Sequence, residues 1–231
     1  MPVIRTSNLT KRFDNVTANE NISFDLNRGE ILALLGENGS GKTTLMNMLS
    51  GIYFPDSGDI IVNGAKVSVR SPKDAFDLGI GMVHQHFKLV DTFSAAENII
   101  LGLPGKMFTD KKARSAEIQE ISSRYGFRLD PDKKIYDMSV SEKQTVEIVK
   151  VLYRGANIFI LDEPTAVLTP QETERLFDAL RSMKSGGKAI IIITHKLNEV
   201  LAVSDRVHVL RRGRSIATVK KIGRASCRER V

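Results

Sequence analysis

The most constraining stretch of this 231-residue chain is "ILALLGENGSGKTT", residues 31–44. Five apolar residues run into Gly36, and Gly36, Gly41, Lys42 and Thr43 satisfy the pattern G-x-x-x-x-G-K-[ST]. An apolar run of that length reads as a strand buried on both faces. The residues that follow, "KTTLMNMLSG", read as a helix closed by Gly51 just past its end. Strand, glycine-rich loop and helix in that order form the phosphate-binding unit of α/β proteins. Glycines let the backbone wrap close and point its N–H groups at an anion, and the helix adds its positive N-terminal end. Gly36, Glu37, Asn38, Gly39, Ser40, Gly41, Lys42, Thr43 and Thr44 are therefore the expected phosphate cradle. Lys42 would reach the β- and γ-phosphates of a nucleotide, and the Thr43 hydroxyl would ligate Mg²⁺. The bland alternative is an ordinary glycine turn, and the strand before it and helix after it argue against that.

A second acidic element has the complementary placement. In "IFILDEPT", residues 158–165, an apolar strand ends in Asp162 and Glu163. Asp162 can hold Mg²⁺ directly or through water. Glu163 can polarise a water for attack on a terminal phosphate. An isolated acidic pair more often caps a helix; this one ends a buried strand about 120 residues beyond the glycine loop. A third apolar run, "IIIITHKL", ends at His195, which can hydrogen-bond the γ-phosphate or steady Glu163 and water. Gln85, in "MVHQHF" after a short strand at 81–83, is a neutral side chain that can join Mg²⁺ to the attacking water. Strand ends that converge on one edge of a parallel sheet are where ligands bind. His84, His86 and His208 are read as structural.

The remaining pattern is α/β. Val3–Asn8, Asn21–Leu26 and Glu30–Leu35 read as strands, and "GDIIVNGAKV" (58–67) as a hairpin turning at Asn63-Gly64. From about Thr92 to Tyr153 the chain reads as helical: Ile118, Ile121 and Tyr125 share a face, with Lys111, Lys112, Arg114 and Arg124 available for the wet side. Strands return at Ile158–Leu161, Ala189–Ile193 and Arg206–Leu210. A helical insert thus interrupts an α/β core. With 42% hydrophobic residues the chain can bury a large core. The longest apolar run, "AIIII", suits a strand and not a bilayer, and "MPVIRTSNLTKRF" has no secretory core. A soluble, cytoplasmic protein is expected. The net charge of +7 has no concentrated basic block before the C-terminus. The last ten residues, Ile222–Val231, are aperiodic and hold the only cysteine, Cys227. They match the translation of a common sequencing adapter and are read as non-native; a disordered basic tail is the alternative.

The stretch "DMSVSEKQ", residues 137–144, precedes a helical run. Ser139 with Glu142, or Ser141 with Gln144, fits the S-x-x-E/Q capping box. A helix start of this kind can also receive a phosphate.

Taken together, these residues resemble an ATP-binding cassette (ABC) transporter ATPase over essentially all of residues 1–221. The order matches: an aromatic before the glycine loop (Phe13), the Walker A loop, the Q-loop Gln85, a signature segment, the Walker B Asp162 with Glu163, and the switch histidine His195. "GIGMVHQHFKLV", "VEIVKVLYRGA" and "LDEPTAVLTPQE" look closest to import ATPases for simple sugars and nucleosides, in which one polypeptide carries two cassettes. The resemblance implies a P-loop NTPase (RecA-like) core with an antiparallel β subdomain and a helical subdomain inserted over about residues 90–154. It implies ATP and Mg²⁺ as cofactors and catalytic roles for Lys42, Gln85, Glu163 and His195. It implies that Phe13 stacks on adenine, and that Thr43, Gln85 and Asp162 serve the metal. The implied partners are a second cassette, membrane permease subunits and, indirectly, a solute-binding protein, at the cytoplasmic face of the membrane and without nucleic acid.

Two departures from the family bear on the site. The family signature Leu-Ser-Gly-Gly-Gln aligns onto Met138, Ser139, Val140, Ser141 and Glu142, so Ser141 stands where a glycine backbone approaches the partner's γ-phosphate. A left-handed backbone there would strain the serine. The D-loop usually ends in aspartate, and Thr169 stands there. A non-transport ABC protein acting on nucleic acid shares every catalytic motif; salt-dependent binding to DNA or RNA would mark it. A module that binds ATP without hydrolysing it is disfavoured by the full set Lys42, Asp162, Glu163 and His195. The solute is not legible, because specificity would lie in the membrane subunits.

Overall fold

Long polar strands open the chain, which runs as a hairpin of β1 (Pro2–Phe13) and β2 (Val16–Asn27) in a computed structural model describing residues 1–85, 87–103 and 111–220. Both strands extend well past the expected Val3–Asn8 and Asn21–Leu26. Most of the added residues are polar (Thr10, Lys11, Arg12, Thr17, Asn19, Glu20 and Asn27), so apolar alternation does not reveal them, although Leu9 among them is fully buried. Register shifts, with Asn8 and Asn21 both left-handed at φ 52°, let the pair bend as it lengthens. Then come β3 (Ile31–Leu35), α1 (Lys42–Leu49), β4 (Ser57–Val62) and β5 (Ala65–Val67). The β4–β5 turn has Asn63 at φ 50° and Gly64 at φ 84°, the expected two-residue hairpin geometry. β2, β1, β4 and β5, in that order, form an antiparallel sheet.

The chain continues through α2 (Pro72–Asp77), β6 (Ile80–Val83), α3 (Ala95–Ile100), α4 (Lys111–Arg124), α5 (Val140–Tyr153), β7 (Ile158–Asp162), α6 (Pro170–Ser185), β8 (Ala189–Thr194), α7 (Leu197–Val203), β9 (Arg206–Arg211) and β10 (Arg214–Lys220). The second sheet has the order β10-β9-β3-β8-β7-β6, parallel from β9 to β6 with β10 antiparallel at the edge. Between β6 and β7 the chain is less continuously helical than its composition suggests. A non-helical stretch and one 3₁₀ turn at Ile135–Asp137 separate α4 from α5. His86, part of the insert and the C-terminal segment with the adapter match lie outside the described residues.

Strands buried on both faces explain the unbroken apolar runs. In β7, Phe159 and Leu161 join Val149, Leu152, Phe177 and Leu180 in one core, under α5 and α6. Ile158 and Ile160 face the other way and join Met46, Leu49 and Ile60, from α1 and the antiparallel sheet. Ile118 is fully buried in the first core, with Ile121 and Tyr125 packed against it. α5 lies so tightly on β6 that a Cβ at Gly81 would fall 2.2 Å from Val151 Cγ1.

His208, on β9, is a buried structural histidine. Its Nδ1 lies 2.7 Å from Thr218 Oγ1 and its Nε2 3.0 Å from Ser215 Oγ, both on β10. Burial, reinforced by Arg206, pushes its pKa down to about 4. The folded state therefore binds fewer protons than the unfolded chain between the two pKa values. The stability is present above the unfolded value and is lost as pH falls toward 4. From pH 7 to 5 this amounts to about 2 kcal/mol. Urea unfolding at the two pH values should show that loss, and His208→Gln should remove most of it.

Candidate functional site

The loops after β3, β6, β7 and β8 meet at the carboxyl edge of the parallel sheet, around a cleft of about 690 Å³. Asn38 to Thr44, Gln85, Asp162, Glu163 and His195 line it. Four separate segments of the sequence are thus brought to one site. Gly36 and Glu37 form the base of the loop and act through their carbonyls.

Close packing dictates a glycine at position 41. Gly41 precedes α1 with φ 95°, and a Cβ there would sit 2.4 Å from the Ala18 carbonyl oxygen. The Asn19 side chain donates from Nδ2 to the Gly41 carbonyl at 3.2 Å, fixing the loop to β2. Lys42 is buried, and its Nζ donates to the carbonyls of Gly36 at 2.6 Å and Glu37 at 2.8 Å. The ammonium therefore sits inside the arc of the loop. Burial lowers its pKa, opposed by the negative charges of Glu163 and Asp162. Asp162 is shifted upward by burial first and by Glu163 second, with Lys42 opposing. One ammonium thus balances two close carboxylates.

Glu163 has a left-handed backbone, φ 45°, which costs a non-glycine residue about 1–3 kcal/mol. Its N–H donates to the Ile193 carbonyl at 3.0 Å, locking the turn after β7 onto β8. His195 Nδ1 lies 2.9 Å from Glu163 Oε1, and Gln85 Nε2 donates to Oε2 at 3.5 Å. The carboxylate is therefore held from both sides with its oxygens toward the cleft. Behind it, buried Glu199 accepts from Thr165 Oγ1 at 2.6 Å and Thr194 Oγ1 at 3.0 Å, joining the loops after β7 and β8.

Phe13 stands at the end of β1, 39% exposed, edge-on to Tyr53 at 5.1 Å. Val16, Thr17 and Ala18, beside it, line the cleft itself. Arg212 and Gly213, in the β9–β10 turn, also line it and were not anticipated. The Gly213 N–H donates to the Ser40 carbonyl at 3.1 Å, and its own carbonyl accepts from Glu20 N at 2.7 Å. That turn therefore laces the glycine loop to β2. The sequence signal was "RRGR" after an expected strand.

Ser139 and Ser141 are not in this cleft; they lie at the start of α5. Of the two possible capping boxes, Ser139 with Glu142 forms. Gln144 instead donates to the Pro164 carbonyl at 2.5 Å. Ser141 lies in the first turn of α5 and is absent from the left-handed residues, so the strain expected for it does not arise.

Comparison with known proteins adds to this geometry. The sequence profile described as ABC transporter matches residues 19–166. The nucleoside import ATP-binding protein NupA of Lactococcus lactis subsp. cremoris is 52% identical over 220 residues, covering 94% of this chain and 44% of that protein. The guanosine import ATP-binding protein NupO of Bacillus subtilis is 53% identical over 219 residues, covering 94% and 43%. The chain thus spans less than half the length of these relatives. Among solved structures, cbiO1 from Clostridium perfringens, described as part of the ABC transporter complex cbiONQ, superposes with a TM-score of 0.84. It is 29% identical, over 99% of this chain and 91% of that one.

Proposed function

The chain belongs to the ABC transporter family, and on that footing we propose that it is an ATP-binding and ATP-hydrolysing cassette of an importer for sugars or nucleosides. The observation that carries this reading is the convergence of Lys42, Asp162, Glu163, Gln85 and His195 on one cleft beside the glycine loop. Loop N–H groups and Lys42 hold the phosphates, and Phe13 supplies an aromatic edge for adenine. His195 and Gln85 aim Glu163, which takes the proton from the attacking water.

The donor set fits Mg²⁺. The Thr43 hydroxyl, Gln85 and Asp162 share the cleft, and Asp162 sits in a doubly acidic environment balanced by one lysine. Mg²⁺ is usually bound through one or two carboxylates together with substrate phosphates, so a larger carboxylate cluster is not required. When bound, it would neutralise charge on the β- and γ-phosphates.

The proposed assembly pairs this chain with a second cassette, the start of α5 facing the partner's nucleotide through Ser139 and Ser141. Val140 and Val167 are exposed there, 42% and 65%, which suits a surface that another chain covers. Among the described residues no helix is long and apolar enough to cross a membrane. Membrane permease subunits would therefore supply the passage and hold the cassette at the cytoplasmic face, with a solute-binding protein acting on them.

The test is uptake by proteoliposomes that contain the full-length protein and its permease, with ATP inside and the solute-binding protein outside. Labelled guanosine is the first solute to try, because both relatives above are named for nucleosides; ribose is the second. ATP-dependent accumulation of either supports the proposal. Hydrolysis stimulated by RNA or DNA, with no uptake of either solute, would overturn it.

A further inference from the structure

Two residues that depart from the family pattern, Ser141 and Thr169, hold the same carboxylate. Ser141 Oγ donates to Glu172 Oε1 at 2.6 Å. Thr169 donates to Glu172 Oε2 from its N–H and its Oγ1, each at 2.9 Å. The Glu172 N–H returns a bond to Thr169 Oγ1 at 3.3 Å, closing the capping box of α6. On the other side, Ser139 Oγ lies 3.1 Å from Ser141 Oγ. A continuous polar chain therefore runs from the N-cap of α5 to the N-cap of α6.

Two features make this contact more than an ordinary cap. Capping α6 uses Oε2, whereas Ser141 uses the other oxygen, so each oxygen serves a different helix. Behind the contact, a cavity of about 520 Å³ lies between α5 and α6, with Thr145 and Ile148 on one side and Leu176 and Ala179 on the other. Apolar packing does not close the two helix ends there. The Ser141 contact does, alongside the Gln144 bond to the Pro164 carbonyl. The donors on Glu172, Ser141 first, hold its carboxyl below the usual range, so it stays an acceptor at neutral pH.

We propose that Glu172 is a positioning residue that fixes the start of α5 to the Thr165–Thr169 loop, so that the signature serines and this loop move as one body. This inference rests on the reading that the start of α5 faces a partner's nucleotide. It changes the meaning of Ser141, whose hydroxyl becomes one half of a strap. A glycine at 141 would have no side chain with which to reach α6.

The test uses the full-length protein with Ser141→Ala, Glu172→Ala, the double variant and Glu172→Gln. Ser141→Ala removes one arm and leaves the α6 cap intact. Steady-state hydrolysis should show kcat down about fivefold in each single variant, with the KM for ATP within about twofold, because the chain's own Walker cleft is untouched. The double variant should be no slower than Glu172→Ala. Glu172→Gln keeps one acceptor oxygen for the α6 cap and presents an NH2 that can donate to Ser141 Oγ, so it should recover part of the way toward the parent. Amide hydrogen exchange at residues 140–143 and 165–169 should accelerate together in Ser141→Ala. A Ser141→Ala kcat at or above the parent's, or a double variant whose loss is the product of the single losses, would overturn the proposal. The functional reading fails separately: hydrolysis would be stimulated by RNA or DNA with no solute uptake, and the exchange data would still report on the strap.

Discussion

Glu163→Gln should lower ATP turnover of the full-length protein by at least about 100-fold while ATP binding survives. Glutamine has nearly the same shape as glutamate and can sit in the same turn, where Glu163 has φ 45° and its N–H bonds to Ile193. It can still meet Gln85 and His195, which hold the native carboxylate at 3.5 and 2.9 Å. What it cannot do is accept a proton from water. The substitution also removes one negative charge beside Asp162, which lowers electrostatic repulsion toward the phosphates and should favour nucleotide retention. Phosphate release and equilibrium binding of labelled ATP measure the two effects independently. A fall of less than about tenfold would move the base role to another group, with His195 the nearest candidate.

The parts of this site that were legible in the sequence are those in which local order and chemistry coincide. Gly36 to Thr44, Asp162, Glu163 and His195 each follow an apolar run, and a parallel sheet brings such strand ends to one edge. Gln85 follows the same logic from the shorter β6. The rest of the site and its support divides into two kinds. α6 carries a local signature: Pro170 at N1, the Thr169–Glu172 box, and Leu176, Phe177, Leu180 and Met183 on one face. The contacts of Asn19 with Gly41, of Gly213 with Ser40 and Glu20, and of Glu172 with Ser141 have no local signature, because each depends on a residue far away in the chain. Ser141 shows the limit of motif reasoning. Alignment placed it at a glycine position and suggested backbone strain, whereas its neighbours give it a helical turn and an acceptor.

The loss at Lys42 should be larger in binding than any other single change. Lys42→Ala removes the ammonium that Gly36 and Glu37 hold at 2.6 and 2.8 Å inside the loop. Three consequences act in one direction. The nucleotide loses a charge-assisted contact to its phosphates. The two carbonyls lose their donor and turn an acceptor surface toward an anion. Asp162 and Glu163 lose the cation that opposes the upward shift of Asp162, so the cleft becomes more repulsive to phosphate. Truncating one member of a buried charge pair costs about 2–5 kcal/mol, which predicts ATP affinity weaker by at least about 30-fold. Lys42→Arg should not rescue it, because a planar fork needs more room than a compact ammonium held in a closed arc. Calorimetric titration with ATP, with circular dichroism to verify folding, measures the change. Affinity within about fivefold of the parent would mean that the loop's backbone N–H groups carry phosphate binding, leaving Lys42 to act only when charge develops during hydrolysis.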